Sequence, residues 1–151
     1  DYLTSRLEQL ERFGWPFGLM FIDIDDFKLI NDKFGHEAGD KYLKTLSATF
    51  RGNRRRTDSI GRWGGEEFLL VMENADPETL ESVAEKYRHL TERTSMEFDS
   101  RRISATISIG ATMASPNDTM ETLVSRADRL MYRSKADGKN RVTLDLDSVS
   151  S

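Results

Sequence analysis

An unbroken apolar run that closes in carboxylates constrains this chain more than any other stretch: Phe17-Gly18-Leu19-Met20-Phe21-Ile22-Asp23-Ile24-Asp25. Such a run reads as a strand buried in a sheet rather than one with a wet face. Side chains alternate along a strand, so Asp23 and Asp25 share one face and Ile24 takes the other. A carboxylate at the end of a buried strand needs a partner, because an unpaired buried charge is costly. A second acidic element is available in Arg62-Trp63-Gly64-Gly65-Glu66-Glu67-Phe68, which joins a short apolar segment around Ile60 to the run Phe68 to Met72. Gly64 and Gly65 read as a two-residue hairpin turn, the glycines supplying positive φ and room for close approach of a ligand. Glu66 and Glu67 should then point to opposite faces, so that only one of them joins a given acidic cluster. Two carboxylates about 4 Å apart repel by roughly 1 to 4 kcal/mol at effective dielectrics of about 80 to 20, so pairing Asp23 with a hairpin glutamate invites a divalent cation. Hard oxygen ligands from one or two carboxylates point to Mg²⁺, with Mn²⁺ as the alternative.

Length and charge limit what such a site can serve. At 151 residues the chain can bury one real core and is short for two, so a single domain over 1–151 is expected. A net charge of −4 argues against a nucleic-acid polymer as partner, which a basic stripe would announce. A polyphosphate ligand must therefore be held by a metal and a few placed cations. The absence of cysteine excludes disulfides and thiolate metal sites and fits a reducing compartment. No run comes near the roughly 18 apolar residues of a membrane span, and no basic start leads into an apolar leader. No membrane contact is expected of this segment, and its expected location is the cytoplasm.

Periodicity supplies the remaining elements. Leu3, Leu7, Leu10 and Phe13 fall at helical spacing before Gly14. A short helix is expected from Asp26 to Phe34, closed by Gly35, and a second from about Glu37 to Arg51 with Leu43, Leu46 and Phe50 inward. Arg51 to Arg56 reads as a cationic loop. Asp76-Pro77 is a helix start, an N-cap followed by proline at the first helical position, and Leu80, Val83, Ala84, Tyr87 and Leu90 mark the face of that helix. Strands are expected over Phe98 to Arg102 and Ile103 to Met113. A last helix should run from about Thr119 to Ala136 and stop at Gly138, before a short edge strand Val142 to Leu144 and a fraying Ser-rich end. This order predicts an α+β sandwich with an antiparallel-rich central sheet flanked by helices and a β-hairpin in the middle.

These stretches together resemble the GGDEF domain family, the diguanylate cyclases. Gly64-Gly65-Glu66-Glu67-Phe68 is similar to the signature pentapeptide, in the GGEEF form that usually accompanies activity. Phe21 to Asp32, Gly35-His36, Gly39-Asp40, Ser108-Ile109-Gly110, Ala127-Asp128 and Lys135 to Asn140 stand in the family's order and approximate spacing. The resemblance runs from about Leu7 to Val142. Asp1-Tyr2-Leu3-Thr4 mimics the opening of the family's turn motif without its continuation, so the expectation is a catalytic domain excised from a longer regulatory protein.

The resemblance implies a palm-like nucleotidyl-cyclase fold with a ferredoxin-like core. It also implies roles, residue by residue. Asp23, Glu66 and the main-chain carbonyl of Ile24 would be metal ligands, with Glu66 either a general base or a ligand only, and Glu67 near the guanine or a second metal. Asn31 and Asp40 form a guanine reader, which suits an amide and a carboxylate facing a Watson–Crick edge, and His36 belongs to the nucleotide site. Lys28, Lys135 and Lys139 are the triphosphate cations, the last two four apart at a helix end and able to share a side. Lys139 stands where the family commonly has arginine, which gives up a bidentate fork on phosphate. Arg55 and Asp58 match the family's inhibitory product site, with Lys86 or Arg88 as second contributor. The implied activity is condensation of two GTP into cyclic di-GMP and two pyrophosphates by a homodimer, with product inhibition. The alternatives are a silent GTP or cyclic di-GMP receptor, or another palm-fold phosphoryl transferase.

Overall fold

A computed structural model describes residues 2–145; Asp1 and the Ser-rich end lie outside the described residues. The elements run α1 (Tyr2–Phe13), β1 (Phe17–Ile24), α2 (Phe27–Phe34), α3 (His36–Asn53), β2 (Asp58–Arg62), β3 (Glu67–Glu73), α4 (Pro77–Arg93), β4 (Ser95–Phe98), β5 (Arg101–Ser104), β6 (Ile107–Met113), α5 (Met120–Ala136) and β7 (Arg141–Leu144). β1 lies at the centre of a five-stranded sheet ordered β2-β3-β1-β6-β7. It pairs antiparallel with β3 and β6, while β7 joins β6 in parallel at the edge. The fold is thus α+β with an antiparallel-rich sheet, as its sequence pattern predicts.

Every residue of β1 is buried, and alternation divides its side chains between two cores. Met20, Ile22 and Ile24 pack with Tyr42, Leu46 and Phe50 of α3 and with Leu80, Ala84 and Tyr87 of α4. Phe17, Leu19 and Phe21 pack on the other face, with Leu3, Leu7 and Leu10 of α1 and with Leu123, Ala127 and Met131 of α5. A helical layer on each face leaves the end of β1 as the place where apolar burial stops and carboxylates begin. Asp76 caps α4, its Oδ1 accepting from the Thr79 N–H at 2.8 Å. Among the described residues no helix is long and apolar enough to cross a membrane.

Several expectations need correction. The segment expected as two strands over 98–102 and 103–113 forms three, because Asp99 and Ser100 adopt φ of 51° and 62° and turn β4 back on β5. Phe13 does not join the α1 core face; it is exposed and stacks on Trp15 at 4.7 Å. α3 continues through Asn53, so the cationic loop is shorter than expected. The hairpin connection is longer than two residues: Arg62 pairs with Phe68, and Trp63 N–H donates to the Glu67 carbonyl at 2.8 Å, leaving Gly64-Gly65-Glu66 as the tip. The left-handed glycines are Gly14, Gly35 and Gly138, not Gly64 or Gly65. A Cβ on Gly64 would meet only the end of the Glu67 side chain, 2.2 Å from its Oε1, which can turn aside, so neither φ nor packing demands glycine there.

Candidate active site

The end of β1 carries four consecutive residues that gather the helix-end cations. Lys135, near the C-terminus of α5, sets its Nζ 2.9 Å from Asp23 Oδ1, 3.0 Å from Asp25 Oδ1 and 3.2 Å from the Ile24 carbonyl oxygen. Asp25 also accepts from Thr106 Oγ1 at 2.7 Å, Ser108 Oγ at 2.6 Å and the Asn140 N–H at 3.0 Å. Burial raises the Asp25 carboxyl, but the hydrogen bonds from Ser108, Thr106, Lys135 and Asn140 win and hold it below the ordinary range. Asp23 lacks that set of donors, and burial pushes it up against the pull of Lys135. Lys139 does not share a helix side with Lys135: α5 ends at Ala136, and Lys139 sits in the following turn at φ 66°, its Nζ 2.6 Å from Asp26 Oδ1.

The hairpin tip brings its carboxylates to the same place. Asp23 and Glu67 are direct cross-strand partners, and the Ile24 N–H donates to the Glu66 carbonyl at 3.2 Å. Glu66 precedes β3, so strand alternation does not govern it, and both glutamates feel Asp23. Burial first, and then the Asp23 charge, raise the pKa of each; Asp128 on α5 adds to the field at Glu67. Glu67 thus stands directly across from Asp23, and Glu66 lies within reach of its charge. Asp128 is a member of this acidic face to which sequence reasoning gave no role; its place in an α5 turn that faces the sheet was the available signal.

α2 and α3 supply the residues expected to read a base. Asn31 Oδ1 is buried without a hydrogen-bond partner, and it lies where a Cβ on Gly39 would be only 1.9 Å away. Lys28 of α2 and His36 and Asp40 of α3 are exposed. Asn31 and Asp40 flank the α2–α3 junction at Gly35, which needs its φ of 95°.

The basic loop is built apart from this cluster, at the far end of the strand that leads to the hairpin. Asp58, buried at the start of β2, holds Arg55 through its N–H at 3.2 Å and its Nε at 3.2 Å, and Arg55 Nη2 reaches the Glu73 carbonyl at 2.9 Å. Of the two α4 candidates, Lys86 approaches the loop, its Nζ 3.0 Å from the Asn53 carbonyl. Arg88 turns elsewhere, to Glu85, Glu92 and Asn140.

The donor set at β1 fits a hard divalent cation that protein oxygens bind only in part. An ammonium already rests against Asp23 and the Ile24 carbonyl, which marks those oxygens as a cation position. Among the described residues no group of three or more His, Cys, Asp or Glu is arranged to hold a metal ion; the oxygens of this strand end would supply only part of an ion's shell, the rest coming from phosphate and water.

Residues 1–141 match the family described as diguanylate cyclase, GGDEF domain. The chain is 38% identical over 132 residues to Diguanylate cyclase A of Treponema denticola, covering 87% of this chain and 36% of that protein. It is 38% identical over 144 residues to Diguanylate cyclase DgcP of Pseudomonas aeruginosa, covering 93% of this chain and 22% of that one. The chain thus spans about a third or less of the length of these curated relatives. Among solved structures, the GGDEF domain of DgcB from Caulobacter crescentus in complex with c-di-GMP superposes with a TM-score of 0.90 at 27% identity, over 95% of this chain and 86% of that one. The active GGEEF domain of a diguanylate cyclase from Vibrio cholerae gives 0.83 at 30% identity, over 95% and 94%.

Proposed function

The chain belongs to the GGDEF domain family, and on that premise we propose that it condenses two GTP into cyclic di-GMP with release of two pyrophosphates. The observation that carries this reading is the meeting, at one strand end, of Asp23, the Ile24 carbonyl, the hairpin glutamates and Lys135. Asp23, Ile24 and Glu66 would hold Mg²⁺. When bound, that ion supplies charge neutralisation at the α-phosphate and lowers the pKa of the attacking hydroxyl. Glu66 or a nearby water accepts the proton of the ribose 3′-hydroxyl. As the 3′-oxygen bonds to the α-phosphorus of the opposing nucleotide, the bond to pyrophosphate breaks, and Lys28 offsets charge on the phosphoryl oxygens. Asn31 and Asp40 read guanine beside His36; Lys135 and Lys139 hold the outer phosphates; Gly64 and Gly65 let the nucleotide approach the hairpin backbone. One GTP per domain makes a two-fold pair of domains necessary, since each supplies the other's acceptor.

Arg55, oriented by Asp58 and accompanied by Lys86, forms the site at which cyclic di-GMP inhibits. Arginine suits both its phosphates and its guanines.

The second reading, a silent receptor, would keep one pocket without turnover. Incubation with GTP and Mg²⁺, followed by identification of the product by mass, separates them. Cyclic di-GMP is expected, and unchanged GTP at high protein concentration would favour the receptor.

A further inference from the structure

The candidate site is closed on itself by ion pairs. Lys135 Nζ sits on Asp23 Oδ1 at 2.9 Å and on the Ile24 carbonyl at 3.2 Å, and these are two of the oxygens assigned to the divalent ion. One residue further along, Lys139 Nζ is 2.6 Å from Asp26 Oδ1. Two of the three lysines assigned to the triphosphate are therefore paired with carboxylates of the β1 end. We propose that Lys135 is a built-in counter-ion that must exchange partners, so that divalent metal and triphosphate bind as a linked pair and each binds poorly alone. The proposal rests on the metal and nucleotide reading given above.

The physical case follows from where the charges can go. A divalent ion needs its oxygens at about 2.0 to 2.1 Å and cannot share them with an ammonium. Metal alone must therefore drive Lys135 off Asp23 and the Ile24 carbonyl while placing two positive charges beside it. A triphosphate alone must draw Lys135 away and leave Asp23 bare, and a buried carboxylate without a counter-charge is costly. Among the described residues Lys135 is the one cation paired with Asp23. Asp25 behaves differently, because Thr106, Ser108 and the Asn140 N–H still satisfy it once Lys135 moves. Asp25 is thus the fixed post from which the ammonium swings, and Asp23 is the carboxylate that changes cation. When both ligands arrive, the metal takes Asp23 and the Ile24 carbonyl, the lysines take phosphate oxygens, and no charge is left alone. Coupling of this kind is reciprocal: whatever factor the metal gives the nucleotide, the nucleotide gives the metal.

The test uses Mn²⁺, counted as free ion by electron paramagnetic resonance, and 3′-deoxy-GTP, which lacks the attacking hydroxyl and cannot turn over. Each ligand is titrated in the absence of the other, the nucleotide in EDTA. Lys135→Met should tighten nucleotide-free Mn²⁺ binding by tenfold or more. Asp23→Asn should lose Mn²⁺ but bind metal-free 3′-deoxy-GTP several-fold more tightly than the parent, because Lys135 is released toward phosphate. Damage to the fold would weaken binding, so two gains of opposite kind cannot come from misfolding. If Lys135→Met leaves Mn²⁺ affinity unchanged or lower while Asp23→Asn abolishes it, the exchange is wrong and the metal site stands. If neither substitution alters Mn²⁺ binding, the metal assignment falls and takes the exchange with it.

Discussion

Asn31 is the clearest single residue at which stability and recognition part company. Its amide oxygen is buried and unpaired, and such a group costs about 1 to 3 kcal/mol in the folded state unless a ligand satisfies it. Replacing Asn31 by alanine should leave resistance to chemical denaturation unchanged or slightly improved. The same change should weaken GTP by about tenfold or more, roughly 1.4 kcal/mol, and narrow the preference for GTP over ATP in competition binding. Lost stability with retained guanine preference would make Asn31 a structural residue. Gly39 belongs to the same argument, because its missing side chain makes room for that amide. The residue types of this corner could be read in the sequence, but the orphaned oxygen could not: it exists only because α2 and α3 meet at Gly35.

The elements that hold the site are α5, β1 and β6, and their contact turns on one glycine. A Cβ on Gly110 of β6 would stand 2.1 Å from the Ala127 carbonyl oxygen and 2.3 Å from the Met131 nitrogen, both backbone atoms of α5. Gly110→Ala must push the whole helix off the sheet and carry Lys135 with it. A loss of about 3 kcal/mol is expected, at the upper end for overpacking, with nucleotide binding impaired beyond what the remaining folded fraction explains. Denaturation and binding measured on the same sample would show it.

The apolar run of β1, the Leu43/Leu46/Phe50 face of α3 and the Asp76-Pro77 start of α4 were all legible, since each is local chemistry of period, cap or turn. What was not legible depended on conformations that these residue types rarely adopt. Asp99-Ser100 turns through two left-handed residues without a glycine, so the sequence pattern predicts a strand running straight across the turn, over 98–102. Lys139 likewise sits at φ 66° beyond the helix, so four-residue spacing placed it wrongly beside Lys135. Glu66 escaped strand alternation because the hairpin tip is longer than its two glycines imply.

At the scale of the whole molecule, two buried phenols set a limit on alkaline stability. Tyr42 and Tyr87 are fully buried, and burial pushes each up to about 12 from an ordinary 10.0. Between about pH 10 and 12 the unfolded chain sheds these protons while the folded chain keeps them, so the contribution is complete below pH 10 and is lost as pH rises toward 12. The loss is on the order of 2 to 3 kcal/mol per phenol. Phenolate absorbance of this pair should appear together with unfolding rather than ahead of it; phenolate formation in a chain that stays folded would contradict the burial. The proposed reaction raises a question of assembly, because on that reading a site that holds one GTP must meet a second copy of itself. Pairing by mass action makes activity per mole depend on concentration. The decisive measurement is the initial rate of cyclic di-GMP formation per mole of protein, from nanomolar to high micromolar, for the parent chain and for Glu66→Gln. A rate per mole that climbs with concentration is expected, with two pyrophosphates for each cyclic product and a Glu66→Gln rate lower by about a hundredfold or more throughout with unfolding unchanged. A rate per mole that does not vary with concentration, or a Glu66→Gln chain that keeps most of its activity, would contradict the proposed reaction.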